Sequence, residues 1–552
     1  MLKDTIADII KKAVADAQEA GKLPTVTLPD INIERPQKPE HGDYASSISL
    51  KLARVVGTSP MNIAGEIASF IEPSDEIKGV TVAPPGFINF KLKNSWLIRQ
   101  VDDILPQQGR YGNIDIGGGQ RIQIEFVSIN PTGPLHVGHG RGAILGSTLC
   151  NVLTAGGYQV TKEYYFNDAG SQMDSFRNSL YARYRQGLGD NVEMPAEGYL
   201  GTYMVDLANE IIAEEKDRFL KLPEAQGMAQ LGELGLKKIL DSTREDLDLL
   251  RVEFDVWFSE QSLYKNGQFE KVMELLRKGG YIAEKENATW FVSTALGEDK
   301  DNVVIRGDGS PTYFAADIAY HYNKFIERQF DRVIDIWGAD HQGHVSRLKA
   351  VVGALGIDPK RLELIVHQMV TLKRGGELVR VSKRSGDIIT LREVIDEVGT
   401  DACRFFFLAR TADSQMDFDM ELAKQQSTDN PVYYVQYAHA RIASILRLAD
   451  EKGIDDSGGD VTLLTTEPEL TLIRKMLLLP EMVELITQTL EPHHLTYYAQ
   501  DLATVFHSFY KQCRVVSDDE PLTKARLKLV KAAKIVLGRT LTLMGMTAPE
   551  QM

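Results

Sequence analysis

The feature that most constrains this chain is a change of pattern at Arg121. From there, apolar strands alternate with glycine-rich turns and helices: Ile122 to Val127, Val160 to Phe166 and Arg332 to Trp337 each precede a helical stretch. Parallel strands need a crossover between them, usually a helix, so the alternation predicts an α/β domain built on a parallel sheet. The 552 residues exceed one such core and suggest roughly three or four domains. Hydrophobic residues at 43% and charged residues at 25% describe an ordered, soluble chain. A formal charge of −15 excludes nucleic-acid binding by bulk positive charge, so any such contact requires local patches. Cys150, Cys403 and Cys513 lie far apart without a Cys-x-x-Cys pair, so neither a disulfide framework nor a zinc site is expected. Acids stand near Met1 where a signal peptide is basic and then apolar, and no run approaches the ~18 apolar residues of a membrane span. The expectation is a soluble cytoplasmic protein without membrane contact.

Residues 1–108 read as a small α+β domain. A helix with apolar Ile6, Ile9, Ile10, Ala13 and Val14 precedes a proline-rich connector, Pro24 to Pro39. A helical run from Ala45 to Val56 follows, and the turn Pro84-Pro85-Gly86 leads into the alternating strand Phe87 to Leu92. Five glycines between Gly109 and Gly119 mark a linker. Residues 109–395 then carry the α/β pattern, interrupted at about 171–250 by a charged, helical insertion. Beyond about Asp396 strands vanish, and residues 396–552 read as all helical. No internal repeat or low-complexity tract points to a solenoid.

The chemistry concentrates where the first strand ends. Arg121 to Val127 runs into Ser128-Ile129-Asn130-Pro131-Thr132-Gly133-Pro134, where prolines and glycine force a loop. Leu135-His136-Val137-Gly138-His139-Gly140-Arg141 then opens an apolar helix reaching Leu153. Open α/β sheets bind ligands at this end of their strands. His136 and His139, three apart, share one face of the helix's first turn. Free backbone N–H groups and the helix dipole favour anions there, and two imidazoles add donors. Gly138 lets a flat base lie against the backbone. The pattern points to a nucleotide whose α-phosphate gains charge during attack. A single histidine at a helix start is most often a cap or core residue; two at this spacing favour the ligand reading. Gly138-His139-Gly140-Arg141-Gly142-Ala143 also fits a dinucleotide fingerprint, with Glu163 downstream. That fingerprint follows its strand almost at once, however, and here a loop with two prolines intervenes. No Gly-x-x-x-x-Gly-Lys-Ser/Thr run occurs, which excludes a Walker-type ATPase.

Pro134-Leu135-His136-Val137-Gly138-His139 resembles the first signature of class I aminoacyl-tRNA synthetases, with Val137 in place of the usual Ile. Arg380-Val381-Ser382-Lys383-Arg384-Ser385-Gly386 follows a hairpin turning at Gly375-Gly376 and resembles the second signature, Lys-Met-Ser-Lys-Ser. Arg380 keeps the first charge, Arg384 replaces the last Ser, and Lys383 keeps the position used against the triphosphate. A basic loop there neutralises the pyrophosphate leaving group once both substrates are in place. Further segments resemble arginyl-tRNA synthetases across nearly the whole chain. They are His41 to Ala45, Phe254 to Glu260, Pro311 to His321, Gly338 to His341, Asn430 to Arg441 and the ending Leu543 to Met546.

The resemblance implies an α/β fold: a Rossmann-like parallel-sheet catalytic domain with an N-terminal α+β domain in contact with tRNA and a C-terminal all-helical stem and anticodon-binding domain. It implies His136, His139 and Lys383 as catalytic residues, with Gly138, Asp340, His341 and Ser382 also at the ATP. Asp317 and Tyr313, one helical turn apart, would hold an arginine guanidinium with Glu125 nearby, and Ser128 and Asn130 the polar end. The chemistry agrees, because a guanidinium is matched by planar anionic acceptors. The plainer alternatives are a first-turn helix acid for Asp317, a packing aromatic for Tyr313, the polar side of a strand for Glu125 and a cap for Asp340-His341. For tRNA, Lys524, Lys528 and Lys531 fall at helical spacing, and residues 521–540 hold six basic and no acidic side chains. Tyr434, Tyr437 and Tyr510 offer stacking faces for unpaired bases, with core packing as the competing role. The expected protein is a monomeric arginine–tRNA ligase. L-Arginine attacks ATP to give arginyl-adenylate and pyrophosphate, and the arginyl group passes to the 3′ end of tRNA(Arg). Mg²⁺ is expected with ATP rather than in a protein cage. Two rivals are a non-catalytic tRNA-binding paralogue and a small-molecule adenylyltransferase. Intact His136, His139 and Lys383 argue against the first, and the long helical tail against the second.

Overall fold

The protein is described here by a computed structural model covering residues 1–36, 38–379 and 389–552. At its centre lies a five-stranded sheet in the order Leu362–His367, Arg332–Gly338, Arg121–Glu125, Gln159–Phe166, Val256–Ser259, with every pair parallel. The chain starts in the middle strand, builds outward to one side and then returns to build the other. Strand order therefore reverses between Arg121–Glu125 and Arg332–Gly338, and the crevice at a reversal is where such sheets bind ligands. Helix Val137–Ala155 crosses over from the first strand, with fifteen of its residues buried.

The insertion is three helices, Ser171–Gly187, Thr202–Glu215 and Glu224–Leu249, around their own core of Phe176, Leu180, Tyr184, Met204, Ile211 and Leu231. Three short antiparallel strands, Ile282–Lys285, Ala288–Phe291 and Asn302–Ile305, come next. Two sequence expectations need correction. The helix expected from Ala45 starts at Ile48, because Tyr44–Ser46 pairs antiparallel with Ile88 to Phe90. Strands also do not end at Asp396: Met416–Asp419 lies parallel to Val370–Arg374. Four residues, two of them aspartates, are too short and too acidic to read as a strand.

The N-terminal sheet, in the order Ile33–Glu34, Tyr44–Ser46, Phe87–Leu92, Ile77–Ala83, is covered by helix Leu2–Glu19 through Ile6, Ile10, Ala13, Val14 and Ala17. The segment His41 to Ala45 docks this domain on the C-terminal helices. Asp43 accepts from the Arg474 guanidinium at 2.9 Å, and Tyr44 donates to Glu481 at 2.6 Å. Gly42 sits at φ +89°, where a Cβ would come within 2.5 Å of the Phe90 carbonyl oxygen, so only glycine fits. Helix Pro431–Glu451 opens the helical region. The Asn430 side chain caps the Val432 N–H at 3.0 Å, with proline in the first turn. Helices Glu467–Met476, Leu479–Thr489, His494–Gln512 and Glu520–Leu543 follow. Arg404, wholly buried, donates to the carbonyls of Leu250 and Met544, each at 2.5 Å, and to Ser147 Oγ at 2.8 Å. One side chain thus ties the crossover helix, the insertion and the chain's end. Among the described residues, no helix is long and apolar enough to cross a membrane.

Candidate active site

Immediately after the first strand, Val127 and Ser128 take φ values of +70° and +42°. Positive φ is costly for a β-branched residue, and such strain clusters where a chain must be aimed. Ser128 Oγ accepts the Tyr165 N–H at 3.1 Å, pinning the loop to the neighbouring strand, and the Asn130 amide donates to Gln172 Oε1 at 2.6 Å.

His136 is the N-cap of the crossover helix. Its Nδ1 accepts the Gly138 N–H at 3.1 Å, and His139 Nδ1 accepts the His136 N–H at 3.2 Å. The rings stack with centroids 3.4 Å apart. A ring nitrogen that accepts carries no proton, so in each neutral imidazole the proton lies on Nε2. Both rings are neutral at pH 7: burial lowers His136, and burial with the neighbouring His136 and His367 pushes His139 down to about 3. The capping role and the ligand role therefore coexist, on different nitrogens. Gly138 serves the same arrangement, since a Cβ there would meet the His136 ring at 3.0 Å. Thr390 bridges to His136, and its neighbour Leu391 donates its N–H to the Leu135 carbonyl at 2.8 Å. Ser382 and Lys383 lie outside the described residues. Asp340 and His341 stand in the short helix Ala339–His344 after the returning strand, 3.3 Å apart and largely exposed. Asp340 is near enough to act on the charge of His136.

Across the crevice lies an acidic pocket. Tyr313 and Asp317 sit on helix Tyr313–Tyr322, started by a Thr312 cap; Tyr313 is exposed, and Asp317 lies beyond the first turn. Burial pushes the Asp317 carboxyl up to about 7, with the Glu125 charge adding to the rise. Glu260, just past strand Val256–Ser259, is also raised to about 7, chiefly by burial. It accepts from Tyr165 Oη at 2.8 Å and Tyr264 Oη at 3.4 Å. Among the described residues neither carboxyl has a basic side chain in an ion pair. Two buried carboxyls in that state favour a cation that would hold them ionised.

Below them a buried network is already complete. Lys324 Nζ donates to Glu125 at 2.5 Å and to Asp335 at 2.8 Å, and His321 Nε2 meets Asp335 at 2.8 Å. Burial opposes the Lys324 charge, yet Asp335 and Glu125 raise it above its ordinary value. The single π-helical turn Asn323–Glu327 places that lysine, a feature that recurs at functional sites. Sequence reasoning assigned no role to Lys324, Asp335, Glu260 or Tyr165. A signal existed for the lysine: Tyr313, Asp317, His321 and Lys324 recur at helical spacing along an otherwise apolar helix.

In the helical region each lysine of the stripe meets an acid. Lys524 pairs with Glu520 at 3.0 Å, Lys528 with Asp102 at 2.9 Å and Lys531 with Asp456 at 2.5 Å. These lysines are therefore paired in the fold, Lys524 within its own helix and Lys528 and Lys531 with acids distant in sequence. The tyrosines differ among themselves. Tyr434 is half-buried with its ring 4.8 Å from His507, while the Arg441 guanidinium lies 4.7 Å from the rings of both Tyr437 and Tyr510. Tyr433 stacks on Tyr437 at 5.9 Å, completing a ring-and-guanidinium platform.

Comparison with known proteins gives three matching family models. They are the arginyl tRNA synthetase N terminal domain over residues 2–92, the class I (R) tRNA synthetase catalytic domain over 100–432, and the DALR anticodon binding domain over 435–552. An arginine–tRNA ligase of Dehalococcoides mccartyi is 60% identical over 551 residues, which are 100% of this chain and 99% of that protein. One from Moorella thermoacetica is 49% identical over 554 residues, with the same coverage. The solved arginyl-tRNA synthetase of Thermus thermophilus superposes with a TM-score of 0.79 at 21% identity over 100% of both chains, a likeness of fold.

Proposed function

We propose a residue-level mechanism for a chain that belongs to the arginyl-tRNA synthetases, the class I enzymes that activate arginine with ATP and transfer it to tRNA(Arg). The guanidinium of arginine enters the acidic pocket against Asp317, with Tyr313 over it and Glu125 beneath, itself braced by Lys324. Ser128 and Asn130 hold the amino and carboxylate end at the crevice. Gly138, Asp340 and His341 line the nucleotide, with Asp340 at the ribose hydroxyls.

The arginine carboxylate attacks the α-phosphate and pyrophosphate leaves. Charge builds on the phosphoryl oxygens, and the Nε2–H groups of His136 and His139 meet it as preorganised donors at a helix N-terminus. Lys383 and Ser382 take the charge of the departing pyrophosphate. The terminal ribose hydroxyl of the tRNA then attacks the adenylate carbonyl and AMP leaves, so no covalent protein intermediate forms. Mg²⁺ would arrive on the triphosphate. On the helical domain, Tyr437, Arg441 and Tyr510 provide a stacking platform for anticodon bases, flanked by Tyr434. Lys524, Lys528 and Lys531 meet phosphates only by exchanging their present acidic partners.

The observation that carries this reading is the Asp317 carboxyl on helix Tyr313–Tyr322, raised to about 7 by burial and in no ion pair among the described residues, with the Glu125 charge beside it. Its test is aminoacylation of tRNA(Arg) with arginine, lysine and citrulline, the last having the shape of arginine without the charge. Charging with arginine alone is expected. Comparable charging with citrulline would remove the role given to the acids.

A further inference from the structure

We propose that Glu491, His493 and His494 form a binding site for a divalent ion of the zinc class, between helices Leu479–Thr489 and His494–Gln512. Among the described residues this is the one group of three potential metal ligands that converges, one ligand atom from each lying within 4.8 Å of the others. His493 is buried at 6% exposure, the two imidazoles lie 4.2 Å apart, and His494 Nε2 is 3.2 Å from a Glu491 oxygen. Two imidazoles and one carboxylate are a donor set that zinc and its neighbours take readily, and a count of cysteines says nothing about it.

Zn–N bonds of about 2.0–2.1 Å put tetrahedral ligands roughly 3.3 Å apart. The site therefore needs only a small closure, with the exposed Glu491 exchanging its present contact with His494 for the ion. Three protein donors leave a fourth position for water.

The position has mechanical consequences. Tyr497, against the His493 ring at 5.4 Å, donates to the Ala409 carbonyl at 3.2 Å. The following loop supplies the Thr411 and Ser414 carbonyls that receive Arg141, on the crossover helix of the catalytic histidines. An ion here would brace that loop.

The test titrates the full-length protein, freed of metal by chelator, with Zn²⁺ in a calorimeter and with Co²⁺ in a spectrophotometer. One ion per chain at micromolar affinity or tighter is expected, with a raised melting midpoint. Glu491→Gln, an exposed change that spares the fold, and His494→Ala should each weaken binding more than tenfold. Affinity weaker than about 100 μM, or a site indifferent to both substitutions, would overturn the proposal.

Discussion

His136 and His139 each use one ring nitrogen to cap the helix and keep the other protonated for the ligand. Removing one preorganised donor of this kind costs roughly 2.7–4 kcal/mol of transition-state stabilisation. His139→Ala should therefore cut the rate of ATP–pyrophosphate exchange by about 10²–10³, with a smaller change in KM for ATP; the reverse split would assign the ring to ground-state binding. Burial lowers both rings, His139 to about 3. An acid limb near neutrality is expected from the pocket. Asp317 and Glu260 are raised to about 7 without substrate, and arginine requires the ionised form. As pH falls below 7 these groups take up protons that binding must expel. Hence kcat/KM for arginine should drop about tenfold per unit per proton and level off above about 8. A flat profile between pH 6 and 8 would contradict the assignment. The histidine pair was legible from its spacing, which puts both on one helix face, and the Tyr313/Asp317 pair through the family resemblance. Glu260 was not, because only strand pairing brings position 260 beside Tyr165 and Asp317.

The crossover helix packs closely on its neighbours through glycines. A Cβ at Gly140 would lie 2.6 Å from Leu391, and one at Gly146 would run into the Phe126 ring. These glycines buy close approach, and with it the position of the histidine turn. Gly146→Ala overpacks the seam at a cost of roughly 1–3 kcal/mol. A thermal midpoint lowered by several degrees is expected, with exchange activity reduced alongside; an unchanged midpoint would mean the helix has slack. Gly545, at φ +70°, is constrained in the same way by the Arg404 guanidinium, which explains glycine in the chain's closing segment. Three of the five parallel strands were legible as apolar runs; Val256–Ser259 and Leu362–His367 were not. Met416–Asp419 and the strands between Ile282 and Ile305 were not, since short polar strands gain their order from partners rather than from their own residues.

For the molecule as a whole, a three-domain reading is visible in sequence, but its consequence for stability is not. One hydrophobic core runs unbroken from Ile6 through Phe126 and Leu149 to Val435, Leu502 and Met546. Deleting residues from Asn430 onward would strip one wall from that core, so the remainder should aggregate or melt without a cooperative transition. A soluble fragment with a sharp transition would show that the catalytic sheet stands alone. Selection of arginine, by contrast, rests on one local site in a chain that is acidic overall. Its most direct test is ATP–pyrophosphate exchange by full-length Asp317→Asn protein with saturating ATP and tRNA. Asparagine keeps the volume and one acceptor oxygen but removes the charge. Losing one partner of a desolvated pair costs roughly 2–5 kcal/mol, so kcat/KM for arginine should fall by roughly 30-fold to several thousandfold while the melting midpoint holds. Exchange within about threefold of the unsubstituted protein, a difference of only ~0.7 kcal/mol, would contradict Asp317 as the partner of the guanidinium.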